Sequence, residues 1–111
     1  MIDALLRTLR WQWANYPSNH RDPVNLALHA VGVPLALAAL PLAIGAAIQG
    51  EWLPAALSLL LLPLGIGLQA VGHKREAVKA VPFAGPADML VRLALEQAVT
   101  FPRFVATRLF G

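Results

Sequence analysis

Two long uncharged stretches, separated by a short polar turn, dominate the pattern of hydrophobic and polar positions. Neither residues 23–50 nor residues 52–72 contain a charged side chain, and Glu51 is the only charge between them. An α-helix of about 20 residues is about 30 Å long, which matches the hydrocarbon thickness of a bilayer. The pattern therefore predicts two transmembrane helices, at residues 23–49 and 52–73.

The turn between the two spans consists of Gln49, Gly50 and Glu51, and Trp52 follows it as an aromatic residue typical of the membrane interface. A connection of this length joins antiparallel neighbours, so both ends of the chain are expected on one side of the membrane. All nine Lys and Arg residues lie outside the spans. Because cations accumulate on cytoplasmic segments, we expect an integral membrane protein of the bacterial inner membrane or endoplasmic reticulum type, with both termini in the cytoplasm.

Shorter helices are predicted on both sides of the spans. Apolar residues repeat every four positions within residues 3–15, which predicts an amphipathic helix that lies on the membrane surface or packs on the rest of the protein. A last helix is predicted from Pro86 to about Phe101, with Pro102 ending or kinking it. The predicted fold is all-α, a single helical membrane domain with an antiparallel transmembrane hairpin flanked by amphipathic or membrane-embedded N- and C-terminal helices. Its segments are an amphipathic helix and loop at 1–22, the spans at 23–49 and 52–73, and a basic segment with the C-terminal helix at 74–111.

The predicted C-terminal helix carries one polar stripe on an otherwise apolar surface. Asp88, Arg92, Glu96 and Thr100 are spaced four residues apart, and opposite charges at this spacing on a helix attract each other. Nearly all the other residues of the helix are apolar. We therefore expect most of its surface to be buried, either against the two spans or in the membrane interface.

The composition agrees with a membrane protein and excludes several kinds of functional site. Hydrophobic residues make up 58% of the chain and charged residues 14%, against about 25% charged residues in ordinary globular domains. The absence of cysteine excludes disulfides, thiolate nucleophiles and cysteine-based metal sites. The cations flank the apolar spans rather than line one soluble face, so the expected partner is a lipid bilayer and not a nucleic acid. A pair of spans buries little surface by itself, so self-association into a homo-oligomer is also expected.

All three histidines of the chain are predicted to meet at the open end of the helix pair. Asp22 is a favourable N-cap for the first span, which places Asn25 and His29 four residues apart on one helical face. Antiparallel packing at about 8–10 Å brings His29 beside His73 at the end of the second span. His20 precedes the cap and is free to fold back over the start of the helix.

The histidines and one carboxylate form a candidate metal site. Glu76 follows His73 by three residues and shares its face if the helix continues. Three imidazoles and a carboxylate suit Fe(II), Zn(II) or Mn(II), and open positions on Fe(II) would admit molecular oxygen. The spacing alone leaves a second interpretation open, in which the histidines only anchor the helices at the membrane interface.

Residues 16–34 contain Tyr16, His20, Pro23, Asn25 and His29, and residues 72–86 contain Gly72, His73, Glu76 and Pro82. These two segments resemble the motifs of a known family, the Mpo-like 2-hydroxy fatty acid dioxygenases. Residues 16–34 are similar to the family's first motif, a Tyr followed by His, Pro, Asn and His at these spacings before a membrane span. Residues 72–86 are similar to its second motif, a Gly-His with a Glu and a Pro downstream, although Glu76 follows the histidine by three residues where better-known members have four.

The resemblance implies an integral-membrane, iron(II)-dependent enzyme of fatty acid α-oxidation. Such enzymes use molecular oxygen as co-substrate to shorten a 2-hydroxy fatty acid by one carbon. The resemblance also implies that the iron ligands are His20, His29 and His73.

Further roles are expected for the polar residues around these ligands. Asn25 is expected to hold a ligand or a bound water, and Tyr16 to donate a hydrogen bond near the metal or to belong to the interfacial aromatic belt. Glu76 is the candidate catalytic carboxylate. Three cations, Arg21, Lys74 and Arg75, are expected to pair with the carboxylate of a 2-hydroxy fatty acid or related lipid, or to anchor the protein to anionic lipid.

Two other functions stay open at this point. One is a non-enzymatic membrane hairpin or adaptor protein, with no stoichiometric metal. The other is a metal-dependent membrane hydrolase, in which Glu76 would act as the base that activates a bound water.

Overall fold

The computed structural model describes residues 1–111 and consists of helices and connections only, which confirms the predicted all-α class. The helices are α1 (Ile2–Asn15), α2 (Pro23–Ile48), α3 (Trp52–Leu59), α4 (Leu61–His73), α5 (Pro86–Leu95) and α6 (Phe101–Phe110). A 3₁₀ turn, Tyr16–Asn19, follows α1, and a π-helical segment, Glu96–Thr100, joins α5 to α6.

The start of α2 follows the sequence prediction. Oδ2 of Asp22 accepts a hydrogen bond of 3.0 Å from the backbone N–H of Asn25, so that Asp22 is the N-cap. Pro23 is the first helical residue, where its missing N–H removes no intrahelical hydrogen bond. The helix then runs for 26 residues and contains Pro34 and Pro41 in its interior.

A break at Leu60 divides the second predicted span into α3 and α4. Pro63 accounts for the break, because its ring clashes with the carbonyl of the residue four positions earlier, Leu59. The backbone tightens there, and the N–H of Leu60 donates to the carbonyl of Leu57 over 3.1 Å. The two helices nevertheless follow one another as a continuous 22-residue rod from Trp52 to His73.

The rod and α2 pack side by side in antiparallel directions, after a turn in which Gly50 has a φ of +74°. Their backbones meet at glycines. A Cβ on Gly65 would lie 2.8 Å from the backbone nitrogen of Ala36 and would clash with the carbonyl oxygen of Gly32. A Cβ on Gly72 would clash with Asn25 in the same way. This close approach places the start of α2 against the end of α4.

The outward surfaces of α2 and of the α3–α4 rod are apolar. Both are long and apolar enough to cross a membrane, and less than a third of each 18-residue apolar window is buried inside the protein. Large side chains at the turn are especially exposed, with Ile48 at 80% and Trp52 at 70%. A core helix of a soluble protein would instead bury most of such a surface.

The prediction that Pro102 ends or kinks the last helix left two alternatives. Pro102 does not end it, because α6 continues to Phe110, and the helix is irregular next to this residue. The π-helical segment lies just before Pro102 and contains Ala98. In a regular α-helix the ring of Pro102 would clash with the carbonyl of Ala98, four residues earlier. No residue of α5 is fully buried inside the protein, whereas Gln97 and Thr100 after it are, so burial of α5 in the membrane interface stays a prediction.

Buried amides fasten the π-helical segment to the rest of the molecule. Gln69 on α4 and Gln97 exchange two hydrogen bonds of 2.7 and 2.9 Å. The hydroxyl of Thr100 donates to Oε1 of Gln12 on α1 over 2.6 Å. A small hydrophobic core of Tyr16, Val33, Phe101 and Phe104 lies beside this network. These contacts fix the C-terminal segment beside the start of α2.

Candidate metal centre

The structure brings the three histidines to one point from three separate segments. His20 follows the 3₁₀ turn, His29 lies in the second turn of α2, and His73 is the last residue of α4. Their ring centroids are 4.6 to 4.9 Å apart, and each pair of rings is nearly perpendicular. His20 and His29 are almost completely buried.

Glu96 completes the cluster from the C-terminal side. One candidate ligand atom from each of His20, His29, His73 and Glu96 can be chosen so that all four lie within 4.8 Å of one another. Oε2 of Glu96 is 3.5 Å from Nε2 of both His20 and His29. Two atoms that each bind one tetrahedral ion at about 2.1 Å are about 3.4 Å apart, so these separations fit ligands that share a metal.

The sequence analysis did not identify Glu96 as a candidate ligand. It lies in the polar stripe of the C-terminal helix, and its position in the first turn of the π-helical segment directs it to the histidines. The available signal was an acidic residue on a strongly apolar helix expected to be buried, since a buried carboxylate requires a partner.

Hydrogen bonds to the backbone orient two of the imidazoles. Nδ1 of His20 is 2.9 Å from the carbonyl oxygen of Tyr16, and Nδ1 of His29 is 3.0 Å from that of Asn25. A carbonyl only accepts, so each Nδ1 carries the proton, and the neutral ring has its lone pair on Nε2.

Three buried nitrogens of the cluster have no hydrogen-bond partner in the protein, namely Nε2 of His20, Nε2 of His29 and Nδ1 of His73. Unpaired buried nitrogens are costly unless another group binds them. Three such nitrogens beside one carboxylate fit a divalent transition metal, whose preferred ligands they are.

Tyr16 connects two members of the cluster. Its ring stacks on His20, with the centroids 3.6 Å apart and the planes 8° apart. Its hydroxyl donates a hydrogen bond of 2.8 Å to Oε2 of Glu96. Burial and the negative charge of Glu96 raise the pKa of this hydroxyl above its usual range, so it keeps its proton and remains a donor.

The carboxyl group of Glu96 is ionised. Burial alone would raise its pKa, but hydrogen bonds from the imidazoles of His20 and His29, which they donate only in the form protonated at Nε2, and from the hydroxyl of Tyr16 outweigh burial and hold the pKa well below its usual range. The carboxylate is therefore available as an anionic ligand at neutral pH.

Glu76 lies next to the cluster but is not among the four residues that could hold an ion. Helix α4 ends at His73, so the carboxylate turns to the segment before α2. It accepts hydrogen bonds of 2.9 and 3.0 Å from the backbone N–H groups of Asp22 and Arg21, and one of 2.7 Å from Nδ2 of Asn25. Burial would raise the pKa of Glu76, but these donors lower it.

This hydrogen-bonded group holds the ends of α2 and α4 together. Because Asn25 also supplies the carbonyl that orients His29, it joins Glu76 to a candidate metal ligand. The catalytic roles expected for Asn25 and Glu76 stay predictions, while their observed contacts are those of residues that position the histidines.

The three cations expected to bind a substrate carboxylate lie close to the histidines in the chain, but none of them is among the residues that could hold an ion. Nε of Arg75 forms an ion pair of 2.9 Å with Asp22. Arg21 and Arg75 line a separate surface cleft of about 290 Å³. The carbonyl of Lys74 accepts a hydrogen bond from Lys79. Binding of a carboxylate by these cations stays a prediction.

A larger cavity of about 360 Å³ opens directly onto the cluster. Its walls include His20, His73 and Glu96, together with a largely apolar lining from α1, α4, α5 and the connection before α5. The one cation in its wall is Arg92, whose guanidinium donates to the carbonyls of Val81 and Pro82. A cavity of this size, apolar with a few convergent polar groups, is typical of a small-molecule site.

Comparison with known proteins agrees with this geometry. A family described as 2-hydroxy-palmitic acid dioxygenase Mpo1-like matches residues 6–95, which include all three histidines of the cluster. The chain belongs to this family. The match extends over most of the chain and ends one residue before Glu96. No curated protein and no solved structure matches the chain.

Proposed function

We propose that this protein is an integral-membrane, Fe(II)-dependent dioxygenase that converts a 2-hydroxy fatty acid to the fatty acid one carbon shorter. The observation that carries the proposal is the cluster of three histidines and one glutamate at the end of a largely apolar cavity, in a chain of this family. The atoms balance with molecular oxygen as the only oxidant. The products are the shorter carboxylic acid, carbon dioxide and water.

His20, His29, His73 and Glu96 would hold the metal. The donor set of imidazole nitrogen and carboxylate oxygen is compatible with Fe(II), and Zn(II) or Mn(II) would also fit it. When bound, iron supplies redox chemistry with oxygen that no side chain of this chain can supply. Tyr16 and Asn25 would keep the ligands in place through their contacts with Glu96 and His29.

The cavity would bind the substrate with its polar end at the cluster. Apolar walls suit an acyl chain, and they exclude water from the reacting end. The expected substrate cations, Arg21, Lys74 and Arg75, do not line this cavity, so they are better suited to anchoring the protein to anionic lipid headgroups.

The membrane would be spanned by an antiparallel hairpin of α2 and the α3–α4 rod. The support is the exposed apolar surface of both and the confinement of all nine Lys and Arg residues to the flanking segments. On this proposal the cluster lies near the cytoplasmic face, with both termini on that side. A fatty acid could then reach the cavity from the lipid phase.

The direct test is turnover by the purified protein. Protein reconstituted with Fe(II) is incubated with 2-hydroxyhexadecanoate in oxygenated buffer, and the proposal predicts oxygen consumption together with formation of pentadecanoate. A protein with Glu96→Gln provides the control for iron in solution. Absence of both oxygen uptake and product, with iron bound at one equivalent, would contradict the dioxygenase function.

The same assay separates the two other candidate functions. A metal-dependent hydrolase would retain its metal but consume no oxygen and leave 2-hydroxyhexadecanoate unchanged, because this acid has no ester or amide bond to hydrolyse. A non-enzymatic membrane hairpin would neither retain stoichiometric metal nor change a 2-hydroxy acid.

A further inference from the structure

The polar residues of the cavity wall are almost all engaged by other groups of the protein. Gln12 bonds to Arg92 and Thr100, Asn15 to the carbonyl of Trp11, Tyr16 to Glu96, Gln69 to Gln97, and Arg92 to Asp88, Val81 and Pro82. Their hydrogen bonds hold the wall together and leave these groups little capacity to bind a ligand.

Apart from the candidate metal ligands His20 and His73, Asn19 is the exception. It lines the cavity and is 9% exposed, and its Oδ1 is buried without a hydrogen-bond partner in the protein. Leaving a buried carboxamide oxygen unpaired is unfavourable, so the position calls for a donor that the protein does not provide.

Asn19 precedes the candidate metal centre directly in the chain. Asn19 is the last residue of the 3₁₀ turn, and the next residue, His20, is one of the four that could hold an ion. Because the backbone carbonyl of Tyr16 fixes His20, the turn has little freedom to move Asn19 away from the reacting end of the cavity.

We propose that Asn19 recognises the 2-hydroxyl group of the substrate by accepting a hydrogen bond from it. This inference rests on the proposed function. It identifies Asn19 as the residue by which the protein distinguishes a 2-hydroxy fatty acid from an unhydroxylated fatty acid. A hydroxyl group carries the hydrogen that a carboxamide oxygen accepts, whereas an ionised carboxylate carries none. An unhydroxylated acid would leave Oδ1 unpaired, which is the usual way a polar site rejects an analogue that lacks a hydroxyl.

The test compares equilibrium binding of two acids to protein purified anaerobically, so that no turnover occurs. The affinities for 2-hydroxyhexadecanoate, as single enantiomers, and for hexadecanoate are measured by tryptophan fluorescence, because Trp11 lines the cavity. Iron content is determined on the same samples. We expect the wild-type protein to bind one enantiomer of 2-hydroxyhexadecanoate more tightly than hexadecanoate. The ratio of these two affinities should fall roughly tenfold in Asn19→Leu.

Asn15→Leu is the matched control. Asn15 also lines the cavity, but its amide already donates to the carbonyl of Trp11 on its own helix. This variant is expected to change both affinities alike and to leave their ratio as in the wild type. Asn19→Ala, a smaller change, is measured in parallel in case Asn19→Leu does not fold, as judged by circular dichroism.

The proposal is overturned if the wild-type protein shows no preference for either hydroxylated enantiomer, or if folded Asn19 variants retain the wild-type ratio. Either result would mean that Oδ1 of Asn19 does not recognise the 2-hydroxyl group. Failure of the dioxygenase function looks different, because it appears as absent oxygen uptake while the binding preference and its loss in the Asn19 variants persist.

Discussion

The hydroxyl of Tyr16 donates a hydrogen bond of 2.8 Å to Oε2 of Glu96, a residue 80 positions later in the chain. The same oxygen is 3.5 Å from Nε2 of both His20 and His29. One contact therefore ties the segment before α2 to the π-helical segment and orients the carboxylate toward the imidazoles. The candidate metal centre depends on this link between the two ends of the chain.

Tyr16→Phe tests the link without removing the aromatic ring that stacks on His20. We expect metal affinity to fall by at least about tenfold, as for other residues that orient a metal ligand. Affinity is measured by competition with a chelator. Phe104→Leu is the control, because Phe104 packs against the Tyr16 ring but makes no hydrogen bond to the cluster. Phe104→Leu should lower the melting temperature and leave the metal affinity unchanged. Equal losses of metal affinity in both variants would argue against a specific role for the Tyr16 hydroxyl.

Glu96→Gln removes the negative charge and keeps the shape of the side chain. If Glu96 is a metal ligand, this variant should retain well under one equivalent of metal after purification. Asp88→Asn is the matched control, since Asp88 lies on the same polar stripe but pairs with Arg92 and not with the histidines. Full metal content in Glu96→Gln would show that three histidines suffice and that the glutamate is only a neighbour.

Gly65→Ala tests the close packing of α2 against α4. An added Cβ would meet backbone atoms of Gly32 and Ala36, so the two helices would have to separate at a cost of about 1–3 kcal/mol. Gly67→Ala is the control, because a Cβ at Gly67 meets nothing within 4 Å. Thermal unfolding in detergent should show a lower melting temperature for Gly65→Ala alone. Equal melting temperatures for the two variants would contradict the packing described.

The buried amide pair provides a test of the C-terminal attachment. Gln69→Leu leaves the carboxamide of Gln97 with no partner on α4, so we expect a loss of about 1–3 kcal/mol. Replacing both residues with Leu removes the unpaired group and should recover part of that loss. The melting temperatures of the wild type, the two single variants and the double variant form a complete double-mutant cycle. Strictly additive losses would mean that the two amides do not act as a pair.

Much of the fold follows from local sequence features. The charge-free stretches determine the two long helices, and Asp22 followed by Pro23 determines where α2 begins. The meeting of His29 and His73 needs only one further step, the antiparallel direction that the short turn imposes.

The rest of the site depends on contacts between distant segments, which a local pattern does not contain. Glu96 reaches the histidines only because Gln97 and Thr100 fasten the π-helical segment to α4 and α1. The prediction that Glu76 shares the helical face of His73 depends on α4 continuing beyond His73. The helix ends there, so the carboxylate meets the backbone before α2 instead.

The metal content of protein purified without oxygen decides whether the histidine cluster is a metal centre. Elemental analysis should find one equivalent of a transition metal, with iron expected, in the wild-type protein. His29→Ala should lose that metal while circular dichroism shows the same helix content, because the helices are held by glycine and amide contacts elsewhere. A wild-type protein free of metal, or a His29→Ala variant that retains a full equivalent, would contradict the proposed centre.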